Sequence, residues 1–156
     1  MKEKIMSKVL KKIIKESLLL ESIDIFDINN IPCEFNIHTE NNNNITVIFT
    51  PNSEDFYQLS IEIKDDGCYY VIFGVIIDDV VRTSLTLNSD YRLKVLSTVF
   101  SLIKYYTDKY NVECLEMDID DEMRLKLYNL YFSKHFKNFQ VDKLGNKVRL
   151  VKNDKL

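Results

Sequence analysis

A stretch of strict alternation closed by a tight turn constrains this chain more than any other feature. From Phe56 to Lys64, the residues Tyr57, Leu59, Ile61 and Ile63 fall on one side, and Gln58, Ser60, Glu62 and Lys64 on the other. This is the period of a strand with one buried and one wetter face. Asp65-Asp66-Gly67 follows at once. Glycine accepts the positive φ that closes a hairpin, so the next segment must return antiparallel. That segment, Cys68 to Ile77, is apolar almost throughout, which predicts a strand near the centre of a sheet.

The flanking sequence extends the pattern into a meander over residues 31–87. Phe35 and Ile37 alternate with Glu34, Asn36 and His38 after Pro32, and Asn41 to Asn44 form a polar turn. Ile45 to Thr50 reads as a strand stopped by Pro51. Asp78 and Asp79 end the central strand, and Val80 to Leu87 reads as one more. Leu96, Val99, Phe100, Ile103, Tyr106 and Tyr110 then recur at intervals of three and four, which predicts a long helix with Asn88, Ser89 or Asp90 at its start. Val112 to Ile119 predicts a strand. A second helix, begun at Asp120 or Asp121, carries the inward stripe Met123, Leu127, Leu130 and Tyr131. Phe139 to Asp142 and Val148 to Val151 flank Leu144-Gly145-Asn146, a closing hairpin. Ahead of the meander, residues 1–21 place Ile5, Val9, Ile13 and Leu20 at helical spacing among lysines, an amphipathic helix expected to pack on its own sheet.

Strand-helix-strand crossovers favour parallel pairing while the meander is antiparallel, so the expected fold is α/β (α+β) with a mixed, mostly antiparallel sheet. The N-terminal helix should cover one face and the two later helices the other. A chain of 156 residues buries about 70% of its unfolded surface in one core and is too short for two ordinary domains, so residues 1–156 are expected to form one.

Charge and cysteine usage narrow the functional classes. Residues 1–16 carry six lysines against Glu3 and Glu16, and residues 134–156 carry seven Lys or Arg against Asp142 and Asp154, which leaves 8 basic and 20 acidic residues between. An acidic middle argues against a nucleic-acid groove on the central elements, because phosphate neutralisation dominates such affinity. Lys11, Lys12 and Lys15 interrupt the one apolar stretch that approaches a membrane span, so no membrane partner is expected. Cys33, Cys68 and Cys114 are odd in number and widely spaced, without a Cys-x-x-Cys pair, which predicts reduced thiols in a cytoplasm.

The order of elements resembles the GNAT superfamily of N-acetyltransferases: an N-terminal helix, antiparallel strands, a long helix, a further strand, a shorter helix and a closing strand pair. Arg124-Leu-Lys-Leu-Tyr128, with Phe136 further on, is similar to that superfamily's segment in which an apolar-Tyr pair precedes a helix end. Tyr91-Arg-Leu-Lys-Val-Leu-Ser-Thr-Val99, followed by Arg124-x-Lys-Leu-Tyr128, resembles a group of uncharacterised tailed-phage proteins with a GNAT-like fold, over roughly residues 56–151. The resemblance implies a GNAT-like sheet and a phage origin, in the host cytoplasm or the virion. Acetyl-CoA would be its expected cofactor, held where a glycine-bearing turn exposes backbone amides at the start of the long helix. Here that turn is Arg82-Thr-Ser-Leu-Thr-Leu-Asn-Ser-Asp-Tyr-Arg92, no glycine occurs between Gly74 and Gly145, and Asp90 sets a negative charge where phosphate would dock. The expectation is therefore a domain without cofactor. If acetyl-CoA does bind, Arg82, Asn88, Ser89 and Arg92 are the residues to hold it.

No catalytic or metal-ligating set stands out. His38 and His135 sit in no nucleophile arrangement. Glu113, Glu116, Asp118, Asp120, Asp121 and Glu122 are dense in oxygen but lack a calcium-loop spacing, and helix capping accounts for the last three. Nine Tyr and nine Phe exceed the needs of a core. Tyr69 beside Tyr70, and Tyr105 beside Tyr106, cannot all face inward, so Tyr69, Tyr105 and Tyr106 are the candidates for contact with a protein partner, self or other.

Overall fold

The computed structural model describes residues 31–83, 91–119 and 122–153. The N-terminal helix expected over residues 1–21 lies outside them, as do Asn88, Ser89, Asp90, Asp120 and Asp121. The described residues form an eight-stranded mixed sheet and two helices. The strands are β1 (Glu34–Glu40), β2 (Asn44–Thr50), β3 (Tyr57–Ile63), β4 (Tyr69–Ile77), β5 (Val80–Arg82), β6 (Cys114–Asp118), β7 (Phe139–Leu144) and β8 (Lys147–Lys152), and the helices are α1 (Arg92–Lys109) and α2 (Glu122–His135). The sheet order is β1-β2-β3-β4-β6-β8-β7, with β5 paired to the end of β4. Among the described residues every pairing is antiparallel except β4 with β6. The apolar run of β4 thus occupies the middle of the sheet.

The turns show why the meander forms. Gly67 has φ 85°, and its amide bonds back to the Lys64 carbonyl while the Lys64 amide takes the Cys68 carbonyl. Between β4 and β5 the turn is only Asp78-Asp79, both at positive φ (50° and 63°), the twist of a two-residue hairpin that short polar side chains tolerate.

Register carries the alternation across the sheet. Phe49, Tyr57 and Val75 line up, as do Val47, Leu59 and Phe73, and Ile45, Ile61 and Val71. All of these are buried except the half-buried Val75. Leu115 and Leu150 continue the same face through β6 and β8. The buried residues of both helices belong to the same hydrophobic core as this face. Val95, Leu96, Val99, Phe100, Ile103 and Tyr106 of α1 are buried, and Phe100 stacks on Tyr131 of α2 with ring centroids 3.9 Å apart.

Two readings of the helices change. α1 begins after Tyr91, whose side chain makes no capping bond. In α2 Leu125, Tyr128, Tyr131 and Phe132 are buried; of the expected stripe Tyr131 faces inward, Leu130 is 47% exposed, and the side chains of Met123 and Leu127 lie outside the described residues. Larger rings win the buried side because they bring more area to the core than a leucine does. No described helix is long and apolar enough to cross a membrane.

Tyr131 is buried, and its hydroxyl has no hydrogen-bond partner among the described residues. Burial pushes its pKa up. Tyr131→Phe keeps the ring on Phe100 and removes an unsatisfied group, so it should raise stability by about 1 kcal/mol in urea unfolding. A loss of stability would mean that the hydroxyl is bonded in solution.

Candidate functional site

The parallel join in the sheet is short. β4 and β6 pair only at Tyr69 with Leu115 and Tyr70 with Glu116. Beyond those rungs β4 runs on to Ile77, β6 continues only to Asp118, and a wedge opens between them. Its walls are Ile72 and Phe73 of β4, Met117 and Ile119 of the β6 segment, Val99 and Ile103 of α1, and Tyr128 of α2. The Tyr70 hydroxyl donates to the Asp118 carboxylate across it. Further along, β5 takes over the edge of β4, pairing Arg82 with Val75. Gly74 makes that approach possible: a Cβ there would lie 2.7 Å from the Arg82 carbonyl oxygen. The space left in the wedge is about 90 Å³, against roughly 300–1,000 Å³ for pockets that enclose a small ligand.

The narrow end of the wedge is fastened from the second sheet face. Cys68 and Cys114, side by side at the starts of β4 and β6, form a disulfide with Cα atoms 4.7 Å apart. This corrects the expectation of three reduced thiols, because the parallel pairing brings together two cysteines that are 46 residues apart in sequence. Cys33 stays a buried thiol, its pKa raised by that burial. Two residues along β6, the buried Glu116 carboxylate accepts from Lys64 at 2.6 Å and faces Arg149 at 3.4 Å and Lys147 at 3.9 Å. Glu116 therefore serves as the anchor of an ion cluster that ties β6 and β8 to the end of β3. Hydrogen bonding to it raises the Lys64 pKa.

The other sequence candidates fall in different places. Arg82 is exposed on β5, and Arg92 is half-buried at the start of α1. His38 is exposed on β1, and His135 is half-buried in the last turn of α2, stacked on Tyr131 at 4.5 Å. Glu113 is exposed outside β6. Among the described residues no group of three or more His, Cys, Asp or Glu is placed to hold a metal ion.

Of the three tyrosines singled out, Tyr106 turns fully inward and contributes no surface. Its hydroxyl donates to Glu40 of β1 at 3.1 Å, as does that of Tyr110 at 2.8 Å, and Lys109 pairs with the same carboxylate. Tyr105 and Tyr69 are half-buried. The Tyr69 hydroxyl donates to the Asn42 carbonyl at 2.6 Å, and the Lys109 ammonium lies 5.8 Å from the Tyr105 ring centre. Tyr69, Tyr105 and Tyr110 thus gather around the turn between β1 and β2. Sequence pattern could not show this, because Glu40, which organises the group, is about 70 residues from its partners.

The Lys109 ammonium, followed by the Tyr110 and Tyr106 hydroxyls, holds the Glu40 carboxyl below its ordinary value against an opposing effect of partial burial. A carboxylate depressed in the folded state stabilises the fold fully above its unfolded pKa and loses that contribution as pH falls through the folded one. Urea midpoints should therefore fall as pH is lowered from about 5 towards 3, the range below an ordinary glutamate, and Glu40→Gln should flatten the profile. A profile unchanged by that substitution would contradict this role.

Comparison with protein-family models and with curated protein sequences finds no match to this chain.

Proposed function

We propose that this chain is a non-catalytic phage protein on a GNAT-like scaffold that acts by binding another protein, as a virion component or as a host-directed factor in the host cytoplasm. The observation that carries the reading is the wedge beside β4. At about 90 Å³ it is several times smaller than pockets that enclose a cofactor-sized ligand, and β5 occupies part of the strand edge that a ligand would need. The turn leading into α1 agrees with this, since it has a side chain at every position from 82 to 92 and amides that cradle a pyrophosphate need an unobstructed approach. The order of antiparallel strands, long helix, strand, shorter helix and closing pair supports the scaffold.

The tyrosines around the β1–β2 turn supply the contact surface, because tyrosine brings large rigid area and a polar tip to an interface. A photo-crosslinking residue at position 105 should capture one dominant protein from infected cells, and Tyr105→Ala together with Tyr69→Ala should abolish its co-purification with tagged protein. Capture that is undiminished by the double substitution would refute this surface.

A second reading, an acetyl-CoA-dependent N-acetyltransferase with an atypical turn, draws on the same wedge. Its mouth reaches Thr83, and Tyr128 stands in its wall, where a phenol could give a proton to a departing thiolate. That reading requires acetyl-CoA-dependent release of free thiol, abolished by Arg82→Ala with Arg92→Ala.

A further inference from the structure

Among the described residues β1 is the terminal strand on one side of the sheet, with β2 as its neighbour. Every residue from Glu34 to His38 is exposed, so the strand meets solvent on both faces. Two of these residues belong to the core side. Phe35 stands opposite Phe49 and Ile37 opposite Val47, and both partners in β2 are fully buried, yet Phe35 is 37% and Ile37 40% exposed. The apolar face of the sheet thus runs out to its last strand and meets solvent there.

Proteins blunt such an edge with lysine, proline or a bulge. Here those devices bound the segment instead of interrupting it. Pro32 precedes it, and a bulge follows: Ile37 pairs with Val47 and Thr39 with Thr46, so His38 has no partner of its own. Between these limits there is no lysine or arginine, and Glu34 is the one carboxylate. The terminal strand on the opposite side, β7, carries Asp142 and Lys143 within its six residues.

We propose that β1 pairs with β1 of a second copy of this chain, antiparallel about a two-fold axis at Asn36. In a shared sheet, opposed residues lie on one face, and a slip of one residue would set Phe35 and Ile37 against the polar face. An axis at Phe35 would oppose Pro32, which lacks an amide hydrogen, to His38. An axis at Ile37 would oppose Phe35 to Thr39, beyond the bulge. With the axis at Asn36, Phe35 meets Ile37 of the second copy and Glu34 meets its His38, and symmetry repeats both pairs. A histidine ring N–H can donate to a carboxylate in either protonation state. Opposed side chains lie about 4.5–5.5 Å apart at Cβ, so the two Phe35 and two Ile37 side chains form one apolar cluster continuous with Phe49 and Val47. The occupant is a second copy because this one segment complements itself in both apolar and polar pattern.

The test is sedimentation velocity of the full chain from about 1 µM to 1 mM, where a short edge contact should give a reversible dimer with a Kd on the order of 10–100 µM. Phe35→Lys replaces an exposed side chain, so the melting temperature of dilute protein should hold while the Kd rises at least about tenfold. Glu34→Lys should also weaken association, and adding His38→Glu should restore it. Asn36→Cys faces itself across the axis and should cross-link under mild oxidation, since opposed Cα atoms lie within disulfide range. His38→Cys, which faces Glu34, should not. The native Cys33 is buried and Cys68 is bridged to Cys114, so neither competes. A monomer throughout the series, a dimer that Phe35→Lys leaves intact, no rescue by His38→Glu, or a dimer in which Asn36→Cys fails to cross-link would each overturn the proposal. The substitutions at Tyr69 and Tyr105 leave β1 unaltered, so the proposed tyrosine surface is tested separately.

Discussion

Phe100→Ala is expected to be among the most damaging single substitutions in the described part of the chain, costing about 3–5 kcal/mol and lowering the melting temperature by roughly 6–20 °C. Phe100 is fully buried. It stacks on Tyr131 at 3.9 Å and meets Tyr128 and Phe132 edge-on at 4.9 and 5.7 Å, so it joins both helices over the sheet. Removing the ring forfeits its transfer energy and leaves a cavity between rigid aromatics that cannot collapse to fill it. Thermal melts of the two proteins decide the matter, and a shift below about 3 °C would show that the helices are held by other contacts.

Loss of the Cys68–Cys114 bridge should rank close behind. The bridge closes 46 residues of chain, for which the loop-entropy relation gives about 4 kcal/mol, within the usual 2–4 kcal/mol for a disulfide that fits its native geometry. Cys68→Ser with Cys114→Ser should therefore lower the melting temperature by roughly 4–16 °C. The deficit should grow towards the wedge, since the bridge reinforces a parallel join of only two rungs. Hydrogen exchange of the amides in β6 and the start of β4 should rise more than in β2 and β3. Thiol titration of the denatured, unreduced protein should find one thiol, Cys33. Three thiols would contradict the bridge.

What could be read from the sequence follows the range of the interactions. Tyr57, Leu59 and Ile61 are buried as their alternation requires, and the Leu96 to Tyr106 spacing locates the core side of α1, because period is a local signal. Alternation also places Glu116 and Asp118 on the face opposite Leu115. It could not reveal that Lys64, Lys147 and Arg149 surround Glu116, or that Tyr70 meets Asp118. Those contacts depend on which strands become neighbours, and β8, not β7, lies beside β6. The cysteine bridge depends on the same neighbour choice. α2 misleads at Leu130 for another reason: its sequence offers apolar residues on more than one side, and the packing against Phe100 adds Tyr128 and Phe132 to the expected Tyr131 while Leu130 is left exposed. The Glu40 cluster joins the first strand to the end of a helix from the second half of the chain, and no local pattern encodes it.

Calorimetric titration of the full chain with acetyl-CoA tests the proposal of a GNAT-like scaffold without its cofactor. No saturable heat is expected up to a concentration on the order of 1 mM, where even a binding energy of about 4 kcal/mol would register. One-site binding with a Kd in the micromolar range would contradict it. Such binding would mean that the wedge opens to admit the cofactor arm.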